Sequence, residues 1–184
     1  MNSKENGWLK QILGFGGNTQ ETVAENLYAQ AIAIARTPKL YTDYGVKDDV
    51  DGRFDALCLV VMLVMRRLKA VDGGKAINQN LFDSMFADMD LSLREMGAGD
   101  IGVSKRVRVM AEGFMGRLEN YASALDSSDD DMLANVLARN LLRMPEAVNQ
   151  VAQSGLVVFV RHLAEKIDAV SSQDMLAGKM HINL

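Results

Sequence analysis

Residues Leu93 to Arg117 read LREMGAGDIGVSKRVRVMAEGFMGR, an acidic-to-basic switch that carries three closely spaced glycines. Upstream, Leu81, Phe82, Met85, Phe86, Met89, Leu93 and Met96 recur at helical spacing, and Gly97 stands where a left-handed C-cap is expected. Downstream, Ser104 has N-cap chemistry. Val107, Met110, Ala111, Phe114, Leu118, Tyr121 and Leu125 then repeat at three and four residues. The stretch predicts a helix, a glycine elbow and a second helix.

Gly97, Gly99 and Gly102 also spell the dinucleotide pattern GxGxxG. That pattern delivers pyrophosphate to a helix N-terminus only when a strand precedes it. Here a helix precedes it, and Asp100 inside the loop would repel phosphate. The glycines therefore read as an elbow. On the second helix Arg106, Gly113 and Arg117 share one flank of the apolar face. Glycine inside a helix costs about 1 kcal/mol against alanine and often marks close approach by another backbone. Either a neighbouring helix crosses at Gly113 while the arginines lie in solvent, or the arginines flank a shallow apolar notch that docks a partner. Lys105 and Arg108 add positive charge at the helix start.

The 184 residues are 48% hydrophobic and 24% charged, enough for one sizeable core, and only two are proline. Few alternating β-branched runs occur, so the expected fold is all-α: a single-domain bundle of about six or seven helices with a short N-terminal amphipathic segment. A net charge of −4 gives no global attraction to nucleic acid or anionic lipid. The single cysteine, Cys58, reads as a buried thiol in a reducing compartment. The longest apolar run, Ala56 to Met65, lies between Asp55 and Arg66 and is about half the ~20 residues a membrane span needs. It belongs at the centre of a bundle.

The expected organisation is an N-terminal segment over 1–17, a helical domain over 18–176 and a tail over 177–184 without structural signal. No cleavable signal or mitochondrial presequence is evident. In the first segment Trp8, Leu9, Ile12, Leu13 and Phe15 form an apolar side near Lys4 and Lys10. It can lie in a lipid interface through Trp8, Leu9, Ile12 and Leu13, or pack on protein; its few lysines and Glu5 favour packing. Asn18 and Glu21 suggest a capping box opening a helix to about Arg36, with Pro38 ending it. A loop follows over Tyr41–Gly52. Its KDDVDG portion is no calcium loop, because an EF-hand frame would put Lys47 and Cys58 at ligand positions. Asp49 or Asp51 instead caps the next helix, and Arg53 stands at its head, where the dipole disfavours a cation. That placement implies a buried carboxylate partner or a binding role.

Further helices are expected from about Asn78 to Met96, from a Ser127–Ser128 N-cap to Met144, and from Pro145 onward. Asp83, Asp88 and Asp90 form a solvated face. Twelve methionines are many for a small domain. Core packing accounts for most of them, and flexible thioethers also suit a surface that accepts varied apolar clients. His162 and His181 lack a glutamate three residues upstream, so no di-iron pair exists, and no Walker loop or nucleophile elbow occurs. No catalytic residue, metal site or cofactor is expected.

Two blocks resemble the ubiquinol–cytochrome c chaperone family. One comprises Leu93, Arg94, Glu95, Gly97, Gly99, Asp100, Ile101, Val103, Lys105, Arg106, Met110, Phe114, Gly116 and Arg117. The other comprises Tyr41, Gly45, Val46, Asp48, Asp51, Gly52, Arg53 and Phe54, and LFDSMFADMD lies between them. The resemblance covers about Ala31 to Tyr121. One departure is that Leu59 is followed by Val60, where the family commonly has histidine, so no role for that histidine carries over.

The resemblance implies an assembly factor for the cytochrome bc1 complex. Its expected partners are newly made cytochrome b or another bc1 subunit, a ribosome or a second assembly factor, and a peripheral membrane contact, without DNA. The expected compartment is the bacterial cytoplasm, with peripheral contact to the inner membrane, or the mitochondrial matrix in a eukaryote. Partner-binding candidates are Arg53, Arg94, Asp100, Lys105, Arg106, Gly113, Phe114 and Arg117. The alternative reading is a helical small-molecule- or lipid-binding protein or enzyme that holds an anionic group with Arg106 and Arg117. A closed pocket lined by polar groups would favour it; an open groove favours the chaperone.

Overall fold

The apolar run Ala56–Met65 forms the middle of helix α3 (Val50–Lys69), where Cys58 to Val64 are each no more than 2% exposed. Val60, at the position of the family histidine, is fully buried there. The computed structural model describes residues 19–95 and 100–183; the side chains at 100, 101, 104 and 106 lie outside that description. The other helices are α1 (Thr19–Ala35), α2 (Pro38–Thr42), α4 (Gly74–Glu95), α5 (Asp100–Asp126), α6 (Asp130–Asn140), α7 (Val148–Gln153), α8 (Leu156–Asp168) and α9 (Ser172–Leu176). A 3-10 turn, Pro145–Ala147, precedes α7. The architecture is an all-α bundle, as its periodicities predict.

Helix α3 is surrounded because its whole circumference is apolar. α1 and α4 pack on it and on each other, α5 packs on α4 and α3, and α6 and α8 close the far side. Phe114 of α5, 1% exposed, meets Phe82 and Phe86 of α4 at ring-centroid distances of 5.7 and 5.8 Å. These edge-on contacts join α4 to α5. At the other end of α3, Arg66 donates to Asp126 of α5 at 2.6 Å and to Asp168 of α8 at 2.5 Å. One guanidinium thereby ties three helix ends.

Element boundaries depart from the local signals where tertiary packing extends or cuts a helix. α5 starts at Asp100, ahead of Ser104, so Ser104 is a residue within the helix and not its cap. Val103 is fully buried in this early turn, and such burial outweighs a capping preference. Gly97 and the rest of the elbow, 96–99, lie outside the described residues. α4 likewise begins at Gly74 and not Asn78: Ile77 is buried, and Asn78 donates its side-chain amide to the Met65 carbonyl at 3.2 Å. Asp129, not Ser127 or Ser128, caps α6, its carboxylate accepting from the amides of Asp131 and Met132.

The expected helix to Met144 stops at Asn140, and Arg143 takes a left-handed φ of +55°. The last long helix is divided at Gly155, whose φ of +79° turns α8 so that Val157, Val160 and Leu163 face the core. The tail, which carries no structural signal of its own, is fastened to α1. Gln30 donates to the Gly178 carbonyl at 2.8 Å and accepts from the Met180 amide at 2.6 Å, and Met180 is 1% exposed. The N-terminal candidates Trp8, Leu9, Ile12 and Leu13, and the expected cap Asn18, lie outside the described residues.

Candidate functional site

The site begins with the loop between α2 and α3. Asp49 caps α3, its carboxylate accepting from the Gly52 amide at 2.8 Å. Gly52 is required by close approach, since a Cβ there would lie 2.0 Å from the Lys47 carbonyl oxygen. The loop therefore folds tightly over the first turn of α3 and fixes Arg53 at its edge. Arg53 donates to Asp48 at 2.7 Å, and both side chains are well exposed (66% and 60%). Its partner is thus a surface carboxylate and not the buried one that its unfavourable helix position suggested. The Arg53 hydrogen bond holds the Asp48 carboxyl below the usual range and raises Arg53 itself.

Beside this turn lies an open groove of about 230 Å³. Ile32 of α1, Phe54 and Leu57 of α3, Met89 and Leu93 of α4 and Met110 of α5 supply its apolar floor. Most of these side chains are half-buried. Arg36 and Arg53 stand at its mouth with Asp51 and Asp88. Asp88 accepts from the Tyr28 hydroxyl at 2.8 Å, and burial followed by the Asp88 charge raises the Tyr28 phenol far above its ordinary value. Such a lining can bury an apolar segment while charged groups orient its ends.

The groove's wall is braced by a buried carboxylate. Asp55, 1% exposed, accepts from Arg117 of α5 at 2.6 Å and from Arg143 at 2.5 Å, and Arg143 also reaches Asp51 at 2.9 Å. Hydrogen bonding to Asp55 raises the Arg143 guanidinium further. Two carboxylates and two guanidiniums form a charge-balanced group, which offsets the cost of burying Asp55.

The sequence-derived candidates separate on this geometry. Arg53 lines the groove, and Met110 and Leu93, which helical periodicity assigned to the apolar faces, line it too. Arg117 is no unattached rim cation, because its guanidinium is committed to Asp55. Phe114 is sealed in the aromatic trio and presents no partner surface. Gly113 is exposed, and a Cβ there would meet nothing within 4 Å, so no helix crosses it among the described residues. Arg94 pairs with Asp90 one turn away on α4, and Lys105 is exposed on α5. The side chains of Asp100 and Arg106 lie outside the described residues.

The family model described as ubiquinol–cytochrome C chaperone matches residues 42–182. The chain belongs to the ubiquinol–cytochrome c chaperone family. It is also similar to a solved structure, the crystal structure of the Cbp3 homolog from Brucella abortus. That match has 32% identity and a TM-score of 0.77, and covers 88% of this chain and 89% of that one. No curated protein matches. Family membership makes the chain an assembly chaperone of the bc1 complex.

Both blocks that carry the family resemblance converge on the groove. Tyr41, Asp51, Arg53 and Phe54 come from the first, and Leu93 and Met110 from the second. Sequence reasoning missed Arg36, whose only local signal is its place before Thr37–Pro38 at the end of α1. It also missed Asp55 as a structural centre. A lone carboxylate at the head of an apolar run was the available signal, and its partners lie 62 and 88 residues away.

Proposed function

We propose that this chaperone is a non-catalytic assembly factor that engages newly made cytochrome b, or another bc1 subunit, through the arginine-rimmed apolar groove. The observation that carries the reading is the meeting of the two family blocks on one open concavity whose floor is apolar and half-buried. A nascent membrane subunit exposes apolar segments to water before insertion. A groove lined by Ile32, Leu57, Met89 and Met110 lowers that exposure at roughly 25 cal/mol for each Å² covered. The methionines suit this task because a flexible thioether adapts to differing side chains. Arg36 and Arg53 stand beside Asp51 and Asp88, so the rim favours a client with charged residues of both signs flanking the apolar stretch. The chaperone would work on the cytoplasmic side of a bacterial inner membrane, or in the mitochondrial matrix of a eukaryote, where such subunits emerge. Ribosome or second-factor contacts would lie outside the groove.

The test is a photo-crosslinker at exposed Ser92, on the groove's edge, in the full chain expressed in cells that assemble bc1. Cytochrome b is the expected adduct. Arg53→Glu with Ser92→Trp should lower cytochrome b accumulation while the chaperone stays folded. A normal bc1 level with a folded double variant sinks the reading.

A further inference from the structure

We infer that the groove has a polarity. It takes an apolar helical client segment whose acidic residue seats between Arg36 and Arg53 and whose basic residue, about two turns away, meets Asp88. The inference rests on the groove being the client site, and adds which end of the client goes where.

Internal pairing decides which charges a client meets. At the mouth, Asp51 is engaged by Arg143 at 2.9 Å, and Arg53 donates its Nε to Asp48 at 2.7 Å. Arg36 is exposed and has no hydrogen-bonded carboxylate among the described residues. Asp88, also exposed, accepts there only from the neutral Tyr28 hydroxyl. Arg36 and Asp88 are therefore the charges of the mouth left without an opposite partner.

The two stand at different levels. Asp88 is held against Tyr28, whose place on α1 is two turns before Arg36, and the Arg36 amide still bonds to the Ile32 carbonyl at 3.1 Å. The offset is about 12 Å along the helix axis at about 1.5 Å per residue, with Ile32 of the groove floor midway. At the basic end the groove runs into a second cavity that shares Arg36, Tyr41 and Arg53 with it and is completed by Pro38, Thr42 and Asp48. Both guanidiniums act on the Tyr41 hydroxyl in its wall: burial raises that phenol, and the Arg53 and Arg36 charges oppose the rise. Two arginines against one carboxylate make this end a seat for a client carboxylate. A client helix with lysine at one end of its apolar stripe and glutamate two turns on matches both ends at once. Like charges match one end and are repelled at the other.

The experiment titrates the full chain with four dye-labelled synthetic helices that share a leucine face. They differ at two positions two turns apart: Lys/Glu, Lys/Lys, Glu/Glu and Gln/Gln. Lys/Glu should bind about fivefold tighter than Gln/Gln, as two exposed ion pairs allow, and salt should remove the advantage. Lys/Lys and Glu/Glu should gain nothing. Arg36→Gln and Asp88→Asn, the latter keeping an acceptor for Tyr28, should each cut the Lys/Glu advantage to about twofold. A benzophenone beside the glutamate should label α2, and one beside the lysine should label α4 near Asp88.

Equal binding of the four helices overturns the inference and leaves the groove as an apolar client site. An advantage unchanged in both variants, or labelling of the same element from both ends, overturns it as well. Failure of every helix to bind overturns the inference and the client reading together. Phosphatidylglycerol vesicles that bind the parent chain but not Arg36→Gln, with peptide binding indifferent to charge, assign the arginines to lipid headgroups and refute the proposed polarity.

Discussion

Arg143 donates its Nε to the buried Asp55 carboxylate across 2.5 Å from a backbone position with φ of +55°. A non-glycine residue pays about 1–2 kcal/mol for that conformation, and here the ion pair offsets it. Asp55→Ala leaves the Arg117 and Arg143 guanidiniums without their shared partner and should lower unfolding free energy by about 3–5 kcal/mol. Arg143→Gly relieves the backbone strain while losing the pair, so it should cost about 1 kcal/mol less than Arg143→Ala. Urea titrations of the three variants check both statements. Equal losses for the two Arg143 variants would mean that the strain is not felt.

Gly113 lies on an exposed face of α5 with free space where a Cβ would stand. Gly113→Ala should therefore raise stability by about 0.5–1 kcal/mol, the ordinary helix-propensity difference. A drop in stability would reveal a close neighbour. The same variant measured for bc1 assembly separates a structural glycine from one kept open for a partner.

Phe114 is a partner-binding candidate by sequence, and the structure makes it core. Phe114→Ala removes the ring that joins Phe82 and Phe86 and should cost about 3–5 kcal/mol in thermal or chemical unfolding. A small loss, combined with a large loss of client binding, would return Phe114 to the surface role.

Burial pushes the Cys58 thiol and the Tyr28 and Tyr121 phenols well above their ordinary values. The folded state thus keeps protons that the unfolded chain releases. Their contribution is complete below the unfolded-state pKa and declines as pH rises. Stability should be flat up to about pH 8.5 with respect to these groups, then fall by ~1.4 kcal/mol per pH unit as unfolded Cys58 ionises. Cys58→Ala should delay that decline to about pH 10, where the phenols take over. Denaturant midpoints across this range give the answer, and an unchanged onset in Cys58→Ala would refute the assignment.

Arg53 and Asp48 form an exposed pair, which contributes little to folding. Arg53→Glu should leave the melting curve where it is while weakening client capture at the groove. Parallel melting and crosslinking experiments test this. Loss of the fold instead would make Arg53 a structural residue.

Helical periodicity in Val107–Leu125 and Leu81–Met96 determined that these segments are helices, because one apolar stripe per turn has few other ways to be buried. The uninterrupted apolar run Ala56–Met65 determined, equally locally, that α3 would be central. The two blocks with family resemblance were legible for the same reason: each is a short, continuous pattern. Tertiary structure alone decided what the charged residues do. Arg117 looked available because Asp55 is remote in sequence, and Gly113 looked crossed because nothing local says that its side of α5 faces water. Arg36, Arg53, Leu93 and Met110 became neighbours only when α1, α3, α4 and α5 packed together. A helix's own sequence sets which side is apolar, but ion-pair partners and concave surfaces arise between helices, where direction and offset are fixed by the packing of the whole core.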